Sequence, residues 1–409
     1  MAIFNEIKYP AVILSILLLA LFTPTTINCQ GIASKTISFD FYGDSISLPV
    51  NNTRFVNFTA PLSTEAIQVF YDSISACGYQ PLVNALIAYK KQYRMDDWLY
   101  YQLIRKTAQQ ISPKADNYYR YTLYKWFMLS SSGYDARLAI GDAELLFYVL
   151  SKDSIYDIPM YVSDGKQYVC LNYHDYGYID FTRDTMHEVK TFIPGAESAF
   201  SYKITQMPDF RQAAYLQKEL QFNYHKKKYA FDILLNPQVQ TIFANYPVVG
   251  FGEYFNIPLS KETYQTLIPE LKKTVHKMNQ QKGIDFLMRF TRFAFLYEDD
   301  KENFGKEKHL SPEETLLYEH SDCDDRSGLF FYLVKEIYNL PMIVLLYPTH
   351  VTIAVKFDKP VGKPFLYNGD VYAICDPTLQ AQELNIGYLP AKYQQADCKV
   401  VYAYYPPQK

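Results

Sequence analysis

Apolar and polar positions along this chain follow helical and strand rhythms, and the order of those rhythms occurs twice. The segment "YYRYTLYKWFMLSSSGYDARLAI" (118–140) passes from a helical period into a strand, and "DDRSGLFFYLVKEIYNLPMIVLL" (324–346) does the same. Helical segments precede both, over 63–110 and 260–300. They are entered through "FTAPLSTE" (58–65) and "FNIPLSKE" (255–262), with Ser63 and Ser260 as the expected caps. A hairpin signal follows both. "YVSDGKQYVCLN" (161–172) turns at Asp164-Gly165 and "FLYNGDVYAICD" (365–376) at Asn368-Gly369, pairs suited to the two-residue type I′ turn. The pattern predicts an α+β protein built from two tandem units, 36–189 and 236–409, each a helix packed on an antiparallel sheet. Residues 190–235 alternate like strands and read as a sheet joining the units.

The first 29 residues break the pattern. Lys8 and the amino terminus precede "AVILSILLLALF" (11–22). Twelve residues, eleven of them apolar, are too few for a spanning helix, which needs about 20, but they suit the core of an export signal. Cleavage after Cys29 leaves Gln30 first; a lipid anchor on Cys29 is the rival, although "TIN" before it lacks the usual small residue. No later segment reads as a membrane span. The expected location is therefore outside the cytoplasm, in the periplasm or cell envelope, with the extracellular space as the alternative.

Composition narrows the partners. Hydrophobic residues make up 49% of the 409, ample for buried cores, and the formal charge of −3 gives no electrostatic case for nucleic acid or an anionic membrane. The basic run "HKKKY" (225–229) reads as solvated. The acidic "YEDDKEN" (297–303) lacks the spacing of a calcium loop, so neither metal nor cofactor is expected. Tyrosines across "YHDYGYIDF" (173–181) suit half-buried strand packing before a ligand platform. Past the signal remain Cys77, Cys170, Cys323, Cys375 and Cys398. An odd number leaves at least one thiol unpaired in a monomer; Cys375 and Cys398 are a candidate pair, and Cys323 is the expected free thiol.

Cys323 stands out by position. It lies in "SDCDDRS" (321–327), at the entrance of the apolar helix pattern and not within it. Unpaired N–H groups and the positive end of the helix favour a thiolate there, whereas Asp322, Asp324 and Asp325 oppose it. A nucleophile needs a base and an orienting group. His350 begins the alternating strand "HVTIAVKF", and Asp376 ends "VYAIC". Those intervals suit a helix against neighbouring antiparallel strands with His350 and Asp376 side by side, and N–H groups at the helix start could hold an oxyanion. His309 and His320 compete for the role of base, but neither begins a strand.

The stretches "FGKEKHLSPEETLLYEHSDCDDRSGLFFYLV" (304–334), "YPTHVTIAV" (347–355) and "YAICDPT" (372–378) resemble the transglutaminase-like superfamily in its exported bacterial form. The resemblance covers about residues 284–380 and departs from the family pattern at Asp324, where glutamate is usual. It implies a papain-like core with Cys323 as nucleophile, His350 as base and Asp376 as orienter. Within it, Ser311, Pro312 and Glu314 make a capping box, and Arg326 is expected to pair with carboxylates such as Asp322. The family includes acyl transferases, peptidases or amidases, and relatives without chemistry.

Laying the first unit over the second sets Asn117 against Cys323, Glu144 against His350 and Asn172 against Asp376, which implies a degenerate first unit. The leading expectation is thiol-dependent amide chemistry on a protein or peptide, hydrolysis before cross-linking. The alternative is a non-catalytic envelope or binding protein that keeps the fold. Export makes the first prediction: amino-terminal sequencing of the mature chain should start near Gln30, and an intact Met1 terminus in the cytosol would refute it.

Overall fold

The computed structural model describes residues 35–407, apart from 52, 54–55, 60, 178, 180, 182–185, 295, 298–307 and 379–383. The apolar leader and most of "YEDDKEN" lie outside the described residues. Among the described residues no helix is long and apolar enough to cross a membrane.

The architecture is α+β, with two five-stranded antiparallel sheets of the same strand order. The first runs Met160–Ser163, Lys166–Cys170, Leu145–Leu150, Ala136–Ile140, His187–Val189. The second runs Pro364–Tyr367, Asp370–Cys375, His350–Val355, Met342–Tyr347, Lys399–Tyr404. Counted along the chain, both sheets read third, fourth, second, first, fifth. Both hairpins turn where the sequence placed them, with φ of 51° and 71° at Asp164-Gly165 and 49° and 83° at Asn368-Gly369.

A buried helix leads into each sheet: Tyr118–Ser131 and Cys323–Tyr338. The second starts at Asp322, whose carboxylate accepts the N–H groups of Asp324 (2.9 Å) and Asp325 (3.2 Å). The Asp325 carboxylate reaches back to the Asp322 N–H, closing a capping box. The helix stops at Asn339, held in the left-handed region at φ 50°. Everything from Asp325 to Val334 is buried. A helix apolar all round belongs inside a core, and one face of this one meets the inward residues Val351, Ile353 and Val355. Ser327 Oγ donates to Val351 O at 3.0 Å, tying its second turn to the strand.

The connecting segment is not a joining sheet. Its strands, Leu216–Tyr224 and Lys227–Leu235, form a two-stranded hairpin whose Phe222 and Phe231 pack on Phe286 and Phe290 of the helix Gln280–Phe293. Residues 190–211 form no named strand; backbone carbonyls and side chains of the first half take several of their donors, and among them Gly133 O accepts from Ser198 N and Leu150 O from Phe200 N. Asp97 accepts from Ser201 N (2.9 Å), Asp153 from Tyr202 N (2.5 Å) and Asp96 from Thr205 N (2.7 Å). In "HKKKY" His225 and Lys226 form the exposed turn of the hairpin, and residues 227–229 open its second strand.

The predicted boundary between units does not interrupt the core, which runs unbroken from Ile37 to Ile386 within Ser34–Lys409. Trp98 is buried against Tyr202 and Tyr246 and donates to Ile242 O at 2.9 Å.

Ser260 sits at its predicted cap position but turns its hydroxyl elsewhere. Fully buried Glu313 accepts from Ser260 N (2.5 Å), Ser260 Oγ (2.8 Å) and Asn236 N (3.4 Å), pinning the hairpin's end to two helices. Each buried donor left without an acceptor costs about 1–3 kcal/mol. Glu313→Ala is therefore expected to lose at least about 3 kcal/mol of unfolding free energy in a urea titration, and a loss under about 1 kcal/mol would contradict this role.

Candidate functional site

His350 enters the structure through strand register. It pairs with Tyr347 at the end of one ladder, while Ile353 pairs with Cys375 on the next strand. Asp376, one residue past that strand, therefore lies beside His350. Their side chains meet at Nε2···Oδ2, 3.1 Å, with His350 and Asp376 only 4% and 1% exposed. Asp376 Oδ1 accepts from Thr378 N (3.0 Å), Arg292 Nη2 donates to the Asp376 carbonyl, and Tyr393 stacks on the imidazole at 4.8 Å and 8°. A carboxylate on Nε2 places the hydrogen there, leaving Nδ1 as the basic nitrogen.

Cys323 occupies the first helical position, where burial and then its acidic neighbours act on the thiol. Burial, then Asp324 and Asp322, push its thiol well above the ordinary range; the Val351 N–H offsets this only in part. Sγ donates to Asp324 Oδ1 at 3.2 Å. Asp324 Oδ2 lies 3.4 Å from His309 Nε2, and His309 stacks on Tyr254 at 4.7 Å. Tyr254 Oη in turn lies 3.0 Å from Asp325 Oδ1. Two N–H groups that could have served an oxyanion, those of Asp324 and Asp325, are taken by Asp322 Oδ1. The three sequence-chosen residues thus divide: His350 and Asp376 are joined, whereas no hydrogen bond links Cys323 to His350.

His309, the competing base of the sequence reading, lies beside Asp324 and not beside Asp376. It reaches the site from the segment before Leu310, not from the sheet. His320 lies on a two-residue strand parallel to Leu296–Tyr297. Arg326 is fully buried; Nε donates to Ser321 Oγ (3.1 Å) and Nη1 to Arg292 O (2.8 Å). Cys375 and Cys398 are not joined, and no disulfide links any of the described cysteines.

In the first half every counterpart is displaced by one residue. Asn117 caps its helix by accepting from Arg120 N (2.9 Å), so Tyr118, not Asn117, holds the place of Cys323. Leu145 pairs with Ile140 as His350 pairs with Tyr347, and the Tyr148–Cys170 pair sets Leu171 in the position of Asp376. Glu144 turns back to Ala143 N (3.0 Å), while Asn172 accepts from Phe147 N and donates to Tyr118 Oη, each at 2.8 Å. No hydrogen bond joins Asn117, Glu144 and Asn172, and neither thiol nor imidazole occupies the three matching places. "YHDYGYIDF" opens with a 3-10 turn, Tyr173–Asp175, in place of the expected strand. Beside it Lys125 is buried and pushed down to about 7, with Asp175 offsetting part of that effect.

No protein family, no curated protein and no solved structure matches this chain.

The acidic setting of Cys323 makes a pH prediction. A thiol held high is a smaller thiolate fraction at pH 8, so iodoacetamide labelling of Cys323 should still be rising beyond pH 9. Asp324→Asn removes one negative charge and the thiol's acceptor, which lowers the thiol pKa. A fall of one unit would raise the labelling rate at pH 8 roughly tenfold; an unchanged rate would show that Asp324 does not govern the thiol.

Proposed function

We propose that both halves are transglutaminase-like units and that the second carries out thiol-dependent amide chemistry on an extracytoplasmic protein or peptide. The observation that carries the reading is the buried His350–Asp376 pair on the strands against which the Cys323 helix packs. Asp376 on Nε2 leaves Nδ1 to take the thiol proton, and Tyr393 keeps the ring from turning. Reaction requires Cys323 Sγ to leave Asp324 and turn toward His350. Sulfur then attacks the amide carbonyl as its proton passes to Nδ1. The C–N bond breaks, the amine departs with that proton, and a thioester remains. Water, deprotonated by His350, releases the acid and restores the thiol; an amine in place of water gives cross-linking. The first unit, with Tyr118, Leu145 and Leu171 at the matching places, is a scaffold without this chemistry.

One observation favours a second reading, a binding or envelope protein without turnover: the thiol is bonded to Asp324, and burial with its acidic neighbours pushes it up from its ordinary value. Release of amine from a peptide library separates the two. Activity should vanish in Cys323→Ala and fall roughly 10²–10⁴-fold in His350→Ala, the usual worth of a general base, while Asn117→Ala retains turnover in the folded fraction. Amine release that survives Cys323→Ala would overturn the assignment, and no release from any peptide would favour the binding protein. Incorporation of a labelled primary amine would replace hydrolysis with transfer.

A further inference from the structure

Tyr148 and Tyr168 belong to a hydrophobic cluster on one face of the first sheet, separate from the main core. Over that face lies a cavity of about 720 Å³, within the span of about 300–1,000 Å³ usual for small-molecule sites. Its wall is drawn from four strands of the sheet and from the tyrosine-rich stretch "YHDYGYIDF". Four aromatic rings line it: Tyr148, Tyr161, Tyr173 and Phe181. Tyr161 meets Tyr148 edge-on at 4.9 Å and 81°, and Tyr173 and Phe181 stand 6.3 Å apart at 39°. Two carboxylates join them, Asp157 and Glu188, and among the described residues no lysine, arginine or histidine does. We propose that this cavity binds an organic cation, an ammonium group carried on a small apolar body.

Charge and ring chemistry carry the argument together. The face of an aromatic ring is negative and attracts a cation held within about 6 Å of its centre. The same side of the sheet already holds one such pair: the Arg137 guanidinium carbon lies 4.0 Å from the centre of the Tyr168 ring, which stacks on Tyr161 at 5.2 Å and 17°. Arg137 Nη1 also donates to Glu188 Oε1 at 2.9 Å, so the protein itself answers that carboxylate. Asp157 has no such answer, since among the described residues no hydrogen bond or ion pair engages its side chain. An anion would meet repulsion from Asp157, and a neutral apolar ligand would leave its charge unmatched. A cation satisfies the carboxylate and the rings at once, while its apolar body covers the exposed Phe181 and Met160, 41% and 42% accessible. The site lies in the half that lacks the thiol, so it stands whether or not Cys323 is catalytic.

Choline is the probe, and neohexyl alcohol, a neutral molecule of the same shape, is its control. Titration of the mature chain by saturation-transfer NMR should give choline at least about tenfold tighter binding than the alcohol, the scale of a partly desolvated cation–π contact. Asp157→Asn keeps a residue that tolerates the left-handed φ of 60°. That variant and Phe181→Ala should each weaken choline at least about threefold, the effect of one exposed charge or ring. Both side chains are exposed, so circular dichroism should show the fold retained; should either variant misfold, the comparison on the unaltered chain decides alone. A lysine side chain is the other source of the same cation, so acetyl-lysine amide is titrated against acetyl-norleucine amide. Preference for choline alone marks a free amine as the ligand, and preference for the lysine compound alone marks a peptide side chain. No binding, equal binding within both pairs, or a preference unchanged in both folded variants overturns the proposal. None of these titrations reads amine release, so the cation site and the catalytic assignment fail separately.

Discussion

The Asp322 carboxylate, by accepting two N–H groups at the head of the Cys323–Tyr338 helix, sets the conditions for the rest of the site. It starts the helix at the residue that places the thiol on its first turn. It also consumes donors that would otherwise stabilise negative charge there. Asp325, the other half of the capping box, is held by Tyr254, on which His309 stacks. A cap that serves local helix stability thus also sets acidic charge beside an already buried thiol.

The opposite side of the site is governed by strand register. A one-residue slip in a ladder moves every side chain to the other face, so the Tyr347–His350 and Ile353–Cys375 pairings are what bring imidazole and carboxylate together. Arg292, buried beneath the Asp376 carbonyl, and Tyr393, flat on the imidazole, hold that arrangement without entering it. The His350–Asp376 pair is rigid because both neighbouring elements are buried. The thiol is the part with a choice of partner.

Local signals were legible in the chain and distant ones were not. Asp164-Gly165 and Asn368-Gly369 announced both turns because positive φ at two successive residues is a demand few dipeptides meet. His350 and Asp376 could be placed together because strand periodicity and one hairpin fix their register. The first half was read one residue out of step because Asn117 was aligned by composition, when its value is as a cap. Ser260 and 190–211 were misread for a related reason: the partners that redirect them, Glu313, Asp96, Asp97 and Asp153, are far away in sequence. No periodic pattern surrounds His309, and its stacking on Tyr254 cannot be inferred from spacing.

The shared core also imposes an order in time. Trp98 donates to a carbonyl 144 residues later in the chain, and its ring packs on Tyr202 and Tyr246. At ordinary synthesis rates of about 5–20 residues per second, that partner follows roughly 7–30 s after the tryptophan. Until then Trp98 lacks both its acceptor and the Tyr246 ring, so this part of the interior is completed only once residues 242–246 have been made.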